Sequence, residues 1–160
     1  YTLPIPPSPN LPNMKAVYLY PATCYFEATP VSLGRGTSLP FQVYGHPNMT
    51  GYDYSFTPKS VPGAKNPPQL NKLCHGVNLS NMSDEEIWKR GVDLSYVIDA
   101  YKNLNIGDHF FRPFFELLVG TDYVRKMIIE GKSAEEIKNR WKGDVEKFKE
   151  QRKPYLLYQE

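Results

Sequence analysis

Residues 73–86 read LCHGVNLSNMSDEE, and the pattern of the chain changes within this stretch. Residues 73–79 are short, apolar and β-prone, which predicts a strand, and Gly76 marks a position where a bulge could form. Ser83 and Glu86 then have the spacing of a capping box, in which each side chain satisfies a backbone N–H group at the start of a helix. The stretch therefore divides a strand-rich first half from a helical second half.

The half that precedes this stretch is rich in proline and aromatic residues. Residues 1–13 carry five prolines, which predicts an extended segment close to polyproline II. Residues 14–20, MKAVYLY, predict a buried strand, and Pro21 predicts the start of a short helix over residues 22–28. Residues 41–44 and 54–57 predict two further strands, whereas residues 58–72 contain too many prolines for a regular element.

The half that follows it has helical periodicity. Leu94, Val97, Ile98 and Tyr101 recur at the spacing of one helix face. A short helix over residues 114–119 ends at Gly120, and Thr121 is predicted to cap the next helix, which ends at Gly131. A second capping box, Ser133 to Glu136, begins a long helix with a stripe predicted to face the core: Ile137, Trp141, Val145 and Phe148. Residues 155–158 predict an edge strand or a packed tail.

This order of elements predicts an α+β fold. We expect a small, mostly antiparallel or mixed sheet with long loops in the N-terminal half, packed by several helices from the C-terminal half. Residues 14–160 are predicted to form a single domain, because a chain of this length can bury roughly two thirds of its unfolded surface. Since no apolar run approaches the roughly 20 residues that a bilayer span needs, no transmembrane segment is predicted.

Composition narrows the functional classes. The net charge is +2 without a basic stripe, which argues against a nucleic-acid partner. Cys24, Cys74 and the histidines lack zinc-site spacing, so no metal site is predicted. The two cysteines could pair or remain free thiols. The 12 tyrosines suit sugar rings and protein interfaces, and they equally suit a well-packed core.

One motif combines an acid with a cation in a glycine-rich loop. Residues 26–41 read FEATPVSLGRGTSLPF, with Glu27 followed by Arg35 between Gly34 and Gly36. An arginine fork can bind a carboxylate bidentately, and glycines allow the backbone to approach a ligand, so the motif predicts a site for an anion or a polar sugar. The alternative interpretation is a tight loop in which Arg35 pairs with a nearby acid such as Glu27. One acid and one arginine are too few for a complete glycosidase site, which commonly needs two carboxylates.

Several ordered strings resemble a known bacterial family. They are PPSPNLP, YLYPATCYFEATPVSLGRGTSLPF, FTPKSVPGAKNPP, LCHGVNL and LLVGTDYVRKMIIEGKSAEEIKNRW. Together they resemble the C-terminal part of the NamZ-type exo-β-N-acetylmuramidases, formerly domain of unknown function 1343. The resemblance implies an N-terminal Rossmann-like domain that carries the main catalytic carboxylate, with residues 1–13 as the linker from it. It also implies an interdomain cleft that releases N-acetylmuramic acid from non-reducing ends of peptidoglycan without a cofactor.

The resemblance also assigns site residues and a location. Glu27 is expected to assist catalysis, and the expected substrate-binding residues are Ser32, Gly34, Arg35, Gly36 and Thr37. Ala28 and Pro30 depart from the family motif, which has glycine and asparagine there. The expected partners are the N-terminal catalytic domain and peptidoglycan fragments that contain N-acetylmuramic acid. The full-length protein is expected to be exported to the periplasm or the exterior, and Tyr1 to begin a mature or truncated fragment that is inactive alone. The alternatives are a non-catalytic peptidoglycan-binding or protein-interaction module and a purely stabilising domain.

Overall fold

A computed structural model describes residues 3–158 of the chain. Within this range the helices are α1 (Met14–Thr23), α2 (Asp84–Arg90), α3 (Ser95–Leu104), α4 (Phe115–Val119), α5 (Tyr123–Ile129) and α6 (Ala134–Arg152). The strands are β1 (Val43–His46), β2 (Tyr54–Phe56) and β3 (Cys74–Asn78), and short 3₁₀ segments cover Cys24–Ala28, Gly107–His109 and Lys153–Tyr155. The α+β prediction is confirmed. Among the described helices, none has both the length and the apolar character that a membrane crossing requires.

The three strands form one antiparallel sheet in the order β1-β3-β2. Gly76, in the central strand, pairs with Gly45 of β1 on one side and with Tyr54 of β2 on the other. Its pairing is regular, so the predicted bulge is wrong. A Cβ atom at Gly76 would lie 1.9 Å from the Tyr44 carbonyl oxygen, which explains why this position needs glycine.

The first element is a helix, and the predicted strand over residues 14–20 is wrong. Asn13 caps α1, because its side-chain oxygen accepts a hydrogen bond from the Ala16 N–H at 2.9 Å. Ala16, Leu19 and Ala22 are buried at helical spacing. Pro21 lies inside α1 instead of opening a helix. The chain continues from Cys24 as a 3₁₀ segment. Residues 22–28 are therefore helical as predicted, but the helical region begins earlier, at Met14.

The helices of the second half follow the predicted order. Ser133 makes the complete capping box with Glu136, whereas Ser83 only accepts a hydrogen bond from the Glu86 N–H at 3.2 Å. The cap residue of α5 is Asp122, so the prediction of Thr121 as the cap is wrong. Each helix of this half therefore starts within a residue or two of its sequence signal.

The larger hydrophobic core joins α1, β1 and the helices α2 to α6, and a second, small cluster on the sheet consists of Val43, Phe56 and Cys74. In the predicted stripe of α6, Ile137 is fully buried and Trp141 packs against the core, but Val145 and Phe148 are 43% and 59% exposed. The stripe prediction is therefore right only for the first half of α6. Residues 155–158 form an exposed tail and no strand. Residues 3–13 contain no helix, and residues 1–2 of the predicted linker lie outside the described range.

Candidate functional site

The 3₁₀ segment Cys24–Ala28 places Glu27 at the surface. Phe26 and Ala28 on either side of it are buried, and Phe26 stacks on Tyr44 with ring centroids 4.8 Å apart. The Ala28 carbonyl accepts a hydrogen bond from the Arg112 N–H at 2.9 Å. Because its neighbours are anchored in the core, the Glu27 carboxylate is directed to the rim of the fold and stays partly exposed.

A backbone bridge fixes the start of the following loop on the sheet. The Ser32 N–H donates to the Gly45 carbonyl at 2.8 Å, and the Gly45 N–H donates to the Ser32 carbonyl at 2.9 Å. Ser32 is fully buried, and its hydroxyl oxygen accepts a long hydrogen bond from the Gly34 N–H at 3.4 Å. In this conformation Ser32 supports the loop, and its predicted contact with substrate stays a prediction.

The two glycines of the loop face the protein. Gly34 and Gly36 both have φ of 81°, a backbone conformation that favours glycine. A Cβ atom would lie 2.4 Å from the Leu39 carbonyl oxygen at Gly34 and 2.3 Å from the Lys59 carbonyl oxygen at Gly36. Both positions therefore require glycine, because the loop packs closely on Leu39 at its own end and on Lys59 of segment 58–72.

Thr37 closes the loop behind the arginine. Its hydroxyl donates to the Gly34 carbonyl at 2.7 Å and accepts from the Leu39 N–H at 3.0 Å. Its backbone N–H also donates to the Gly34 carbonyl, at 3.0 Å. Thr37 thus holds the turn that carries Arg35, and the predicted contact of Thr37 with substrate stays a prediction.

Arg35 pairs with Glu27, as the alternative interpretation of the motif anticipated. The Nη2 of Arg35 donates to Oε2 of Glu27 at 3.0 Å, and their side chains are 33% and 24% exposed. The Nε of Arg35 is buried and has no hydrogen-bond partner among residues 3–158. About a third of the Arg35 side chain remains exposed beside this pair.

Phe41 lies beneath the arginine in an unusual backbone conformation. The Arg35 guanidinium carbon lies 5.3 Å from the centroid of the Phe41 ring, a cation–π distance. Phe41 is buried and has φ of 59°, which is uncommon for a bulky residue. Its N–H donates to the Leu33 carbonyl at 2.8 Å. Such strained positions cluster at functional sites.

Tyr20 completes the cluster, and sequence reasoning missed it. Its ring lies 5.1 Å from that of Phe41, and the residue is 39% exposed. Burial raises the pKa of Tyr20, the charge of Glu27 raises it further, and the charge of Arg35 lowers it. Tyr20 was missed because residues 14–20 were predicted to form a strand. The signal that could have corrected this is Asn13, because an N-cap residue at this position predicts a helix over residues 14–23.

The remaining candidates have structural roles or no role at this site. Cys24 and Cys74 are free thiols, and burial followed by the charge of Glu27 raises the pKa of Cys24 to about 11, so Cys24 is a poor nucleophile at neutral pH. His75 Nδ1 lies 2.9 Å from the Ser55 hydroxyl, and the Asn48 N–H donates to His46 Nδ1 at 3.1 Å. The part of the chain that the structure describes holds no cluster of three or more potential metal ligands.

Comparison with known proteins shows which family this chain belongs to. Residues 18–158 match the family described as exo-β-N-acetylmuramidase NamZ, C-terminal. The chain belongs to this family. A relative from Bacillus subtilis (strain 168), the peptidoglycan β-N-acetylmuramidase NamZ, is 34% identical over 167 residues, which cover 95% of this chain and 40% of the relative.

Two solved structures of DUF1343 family proteins from Bacteroides fragilis NCTC 9343 have the same fold. One is 82% identical with a TM-score of 0.98 and covers 100% of this chain and 45% of its own. The other is 20% identical with a TM-score of 0.68, covers 97% of this chain and 45% of its own, and shows the fold alone. The chain thus spans less than half the length of each of these three proteins.

Proposed function

We propose that this chain is the C-terminal, cleft-completing domain of a glycoside hydrolase that releases N-acetylmuramic acid from the non-reducing ends of peptidoglycan. The observation that carries the proposal is the 34% identity to a peptidoglycan β-N-acetylmuramidase across 95% of this chain. The candidate site agrees with it, because a cation, a carboxylate and an exposed aromatic ring lie together at one rim of the fold.

The chemistry requires a second carboxylate from elsewhere. Glycosidases commonly use two carboxyl groups on opposite sides of the scissile bond. The candidate site offers Glu27, which is committed to Arg35 at 3.0 Å. The main catalytic acid is therefore proposed to come from an N-terminal Rossmann-like domain, with Glu27 and Arg35 on the opposite wall of the interdomain cleft.

Arg35 is proposed to select muramic acid. Muramic acid differs from glucosamine by a lactyl ether that ends in a carboxylate, and a guanidinium binds carboxylates with charge-assisted hydrogen bonds. When the lactyl carboxylate takes the place of Glu27, the Glu27 carboxylate is released to accept a hydrogen bond from a sugar hydroxyl or to orient the acid of the other domain. Peptidoglycan lies outside the cytoplasmic membrane, so the full-length protein is proposed to be exported. No cofactor takes part in this scheme.

The test compares Arg35 variants of the full-length protein on two substrates. We expect Arg35→Ala to lower kcat/KM by roughly 10- to 100-fold on a muramic-acid-terminated disaccharide, since charge-assisted hydrogen bonds contribute about 1.5–3 kcal/mol. A glucosamine-terminated analogue should be turned over poorly by both proteins, with little change between them. Arg90→Ala, which removes an exposed paired arginine of α2, is the matched control and should behave as wild type.

Three outcomes would contradict parts of the proposal. Equal losses on both substrates would remove the selectivity role of Arg35. Turnover by residues 1–160 alone would remove the assignment of catalysis to the other domain. A full-length protein that binds peptidoglycan but releases no N-acetylmuramic acid would replace the hydrolase with a binding module.

A further inference from the structure

Tyr20 stands beside the ion pair in a position that the arginine motif does not explain. It lies near the end of α1, ahead of the 3₁₀ segment that carries Glu27. Its ring contacts the buried Phe41 ring at 5.1 Å, and the Arg35 guanidinium contacts the same ring at 5.3 Å. Phe41 therefore joins the exposed aromatic ring to the exposed cation.

The exposure of Tyr20 leaves ring surface for a ligand. Phe41 is 2% exposed, whereas Tyr20 is 39% exposed, so Tyr20 is the member of this aromatic pair that is open to solvent. The pKa of Tyr20, raised first by burial, responds to the charges of both Glu27 and Arg35, which places its hydroxyl within electrostatic reach of both members of the pair. An apolar ring surface, a cation and a carboxylate thus border the same small area.

That combination fits a particular class of ligand. Binding sites for small molecules combine aromatic surfaces with a few polar groups that fix orientation. A pyranose ring presents a face of C–H groups to an aromatic ring and hydroxyls at its edge, and a carboxylate substituent adds the group that a guanidinium binds. Another exposed aromatic residue, Trp88 on α2, packs its ring against Tyr18 instead.

We propose that Tyr20 is the stacking wall of the sugar site, where it binds the apolar face of a carboxylate-bearing pyranose whose carboxylate is held by Arg35. This inference rests on the proposed function. It divides the recognition into two independent contributions. Tyr20 binds the ring, which muramic acid and glucosamine share, and Arg35 binds the lactyl carboxylate, which only muramic acid has.

The test measures inhibition of the full-length enzyme by free N-acetylmuramic acid and free N-acetylglucosamine. We expect Tyr20→Ala to raise both inhibition constants by the same factor, about tenfold if the stacking contact is worth about 1.4 kcal/mol. We also expect a similar rise in KM with kcat nearly unchanged, since a stacking contact binds substrate and transition state alike. Tyr20→Phe should behave as wild type, and Tyr155→Ala, an exposed tyrosine 83% accessible to solvent, is the matched control.

The pattern of losses separates this role from a structural one. If Tyr20 acted only by positioning Phe41 and Arg35, Tyr20→Ala would weaken N-acetylmuramic acid and spare N-acetylglucosamine, as Arg35→Ala does, and the inference would be overturned. Unchanged constants for both sugars would also overturn it while leaving the proposed function intact. If the wild-type protein neither turns over the substrate nor responds to either sugar, the proposed function fails, and the stacking role fails with it.

Discussion

At the scale of single residues, Gly76 lies in the central strand of the sheet. It pairs with Gly45 on one side and with Tyr54 on the other. The position of its missing Cβ is occupied by backbone atoms, with the Tyr44 carbonyl oxygen at 1.9 Å and the Gly45 Cα at 2.6 Å. Backbone cannot move aside as a flexible side chain can, so a side chain here forces β1 and β3 apart.

We therefore expect Gly76→Ala to destabilise the protein strongly. Overpacking of this kind costs up to about 3 kcal/mol, and the loss should appear as a lower urea midpoint with an unchanged slope. Gly143→Ala is the matched control, because Gly143 lies inside α6 with no atom near its missing Cβ. That change should stabilise the protein by about 0.5–1 kcal/mol. A Gly76→Ala protein as stable as wild type would contradict the described register of β1 on β3.

The candidate site shows what residue patterns can and cannot predict. The acid and the arginine were readable from the motif, and their pairing was one of the two interpretations that the motif left open. The burial of Ser32 was not readable, since it depends on a bridge to Gly45 in a later strand. Tyr20 and Phe41 were also missed, because their contact joins a helix to a residue 21 positions away in sequence.

At the scale of elements, α1 is the segment whose sequence was most misleading. Its letters MKAVYLY are typical of a strand, and a proline follows them. Tertiary packing overrides this local preference: Ala16, Leu19 and Ala22 are buried in the core, and α1 packs on α2 and α3. The strands of the sheet were predicted to within two residues, because alternation and flanking turns are local signals. The helices α2 and α6, whose serine caps were recognised, were predicted equally well.

The capping box of α6 gives a prediction at this scale. The Ser133 hydroxyl oxygen accepts from the Glu136 N–H at 3.2 Å, and the Ser133 N–H donates to the Glu136 carboxylate at 2.8 Å. We expect Ser133→Ala to lower the free energy of unfolding by about 1 kcal/mol, because the hydroxyl satisfies a donor that is otherwise unpaired. Ser133→Thr should retain most of the stability.

The control for this experiment is the other serine cap. Ser83→Ala removes a single bond at α2 and should cost no more than Ser133→Ala. If chemical denaturation shows no loss for Ser133→Ala, the first turn of α6 does not depend on its cap.

At the scale of the whole molecule, Asp99 links the helical half to the sheet half. Its Oδ2 on α3 accepts hydrogen bonds from the Tyr44 hydroxyl at 2.8 Å and from the Tyr52 hydroxyl at 2.7 Å. Tyr44 belongs to β1, and Tyr52 precedes β2. Burial, followed by the charge of Asp99, raises the pKa of Tyr44 well above its usual range. Burial, followed by the hydrogen bond to Asp99, also raises the pKa of Tyr52, so both hydroxyls remain donors at neutral pH.

Loss of these two hydrogen bonds should destabilise the whole fold. We expect Asp99→Ala to lower the free energy of unfolding by about 2–3 kcal/mol, because two hydroxyls lose a charged acceptor and that of Tyr44 is mostly buried. Tyr52→Phe should cost about 1 kcal/mol. Asp53→Ala removes an exposed carboxylate and should stay within about 0.5 kcal/mol of wild type. Equal stability of the Asp99 and Asp53 variants in a urea titration would contradict a role for this link.

The proline-rich segment 58–72 supports the loop that carries Arg35. The Lys59 N–H donates to the Gly36 carbonyl at 2.9 Å, and the Gln69 side chain donates to the Pro30 carbonyl at 2.9 Å. These hydrogen bonds hold the loop that carries Arg35 against segment 58–72. This segment is stiff because its prolines leave the backbone few conformations. On the proposed function, variation in segment 58–72 would change the orientation of Arg35 without altering any residue of the proposed sugar site, so selectivity would change through positions that do not contact the ligand.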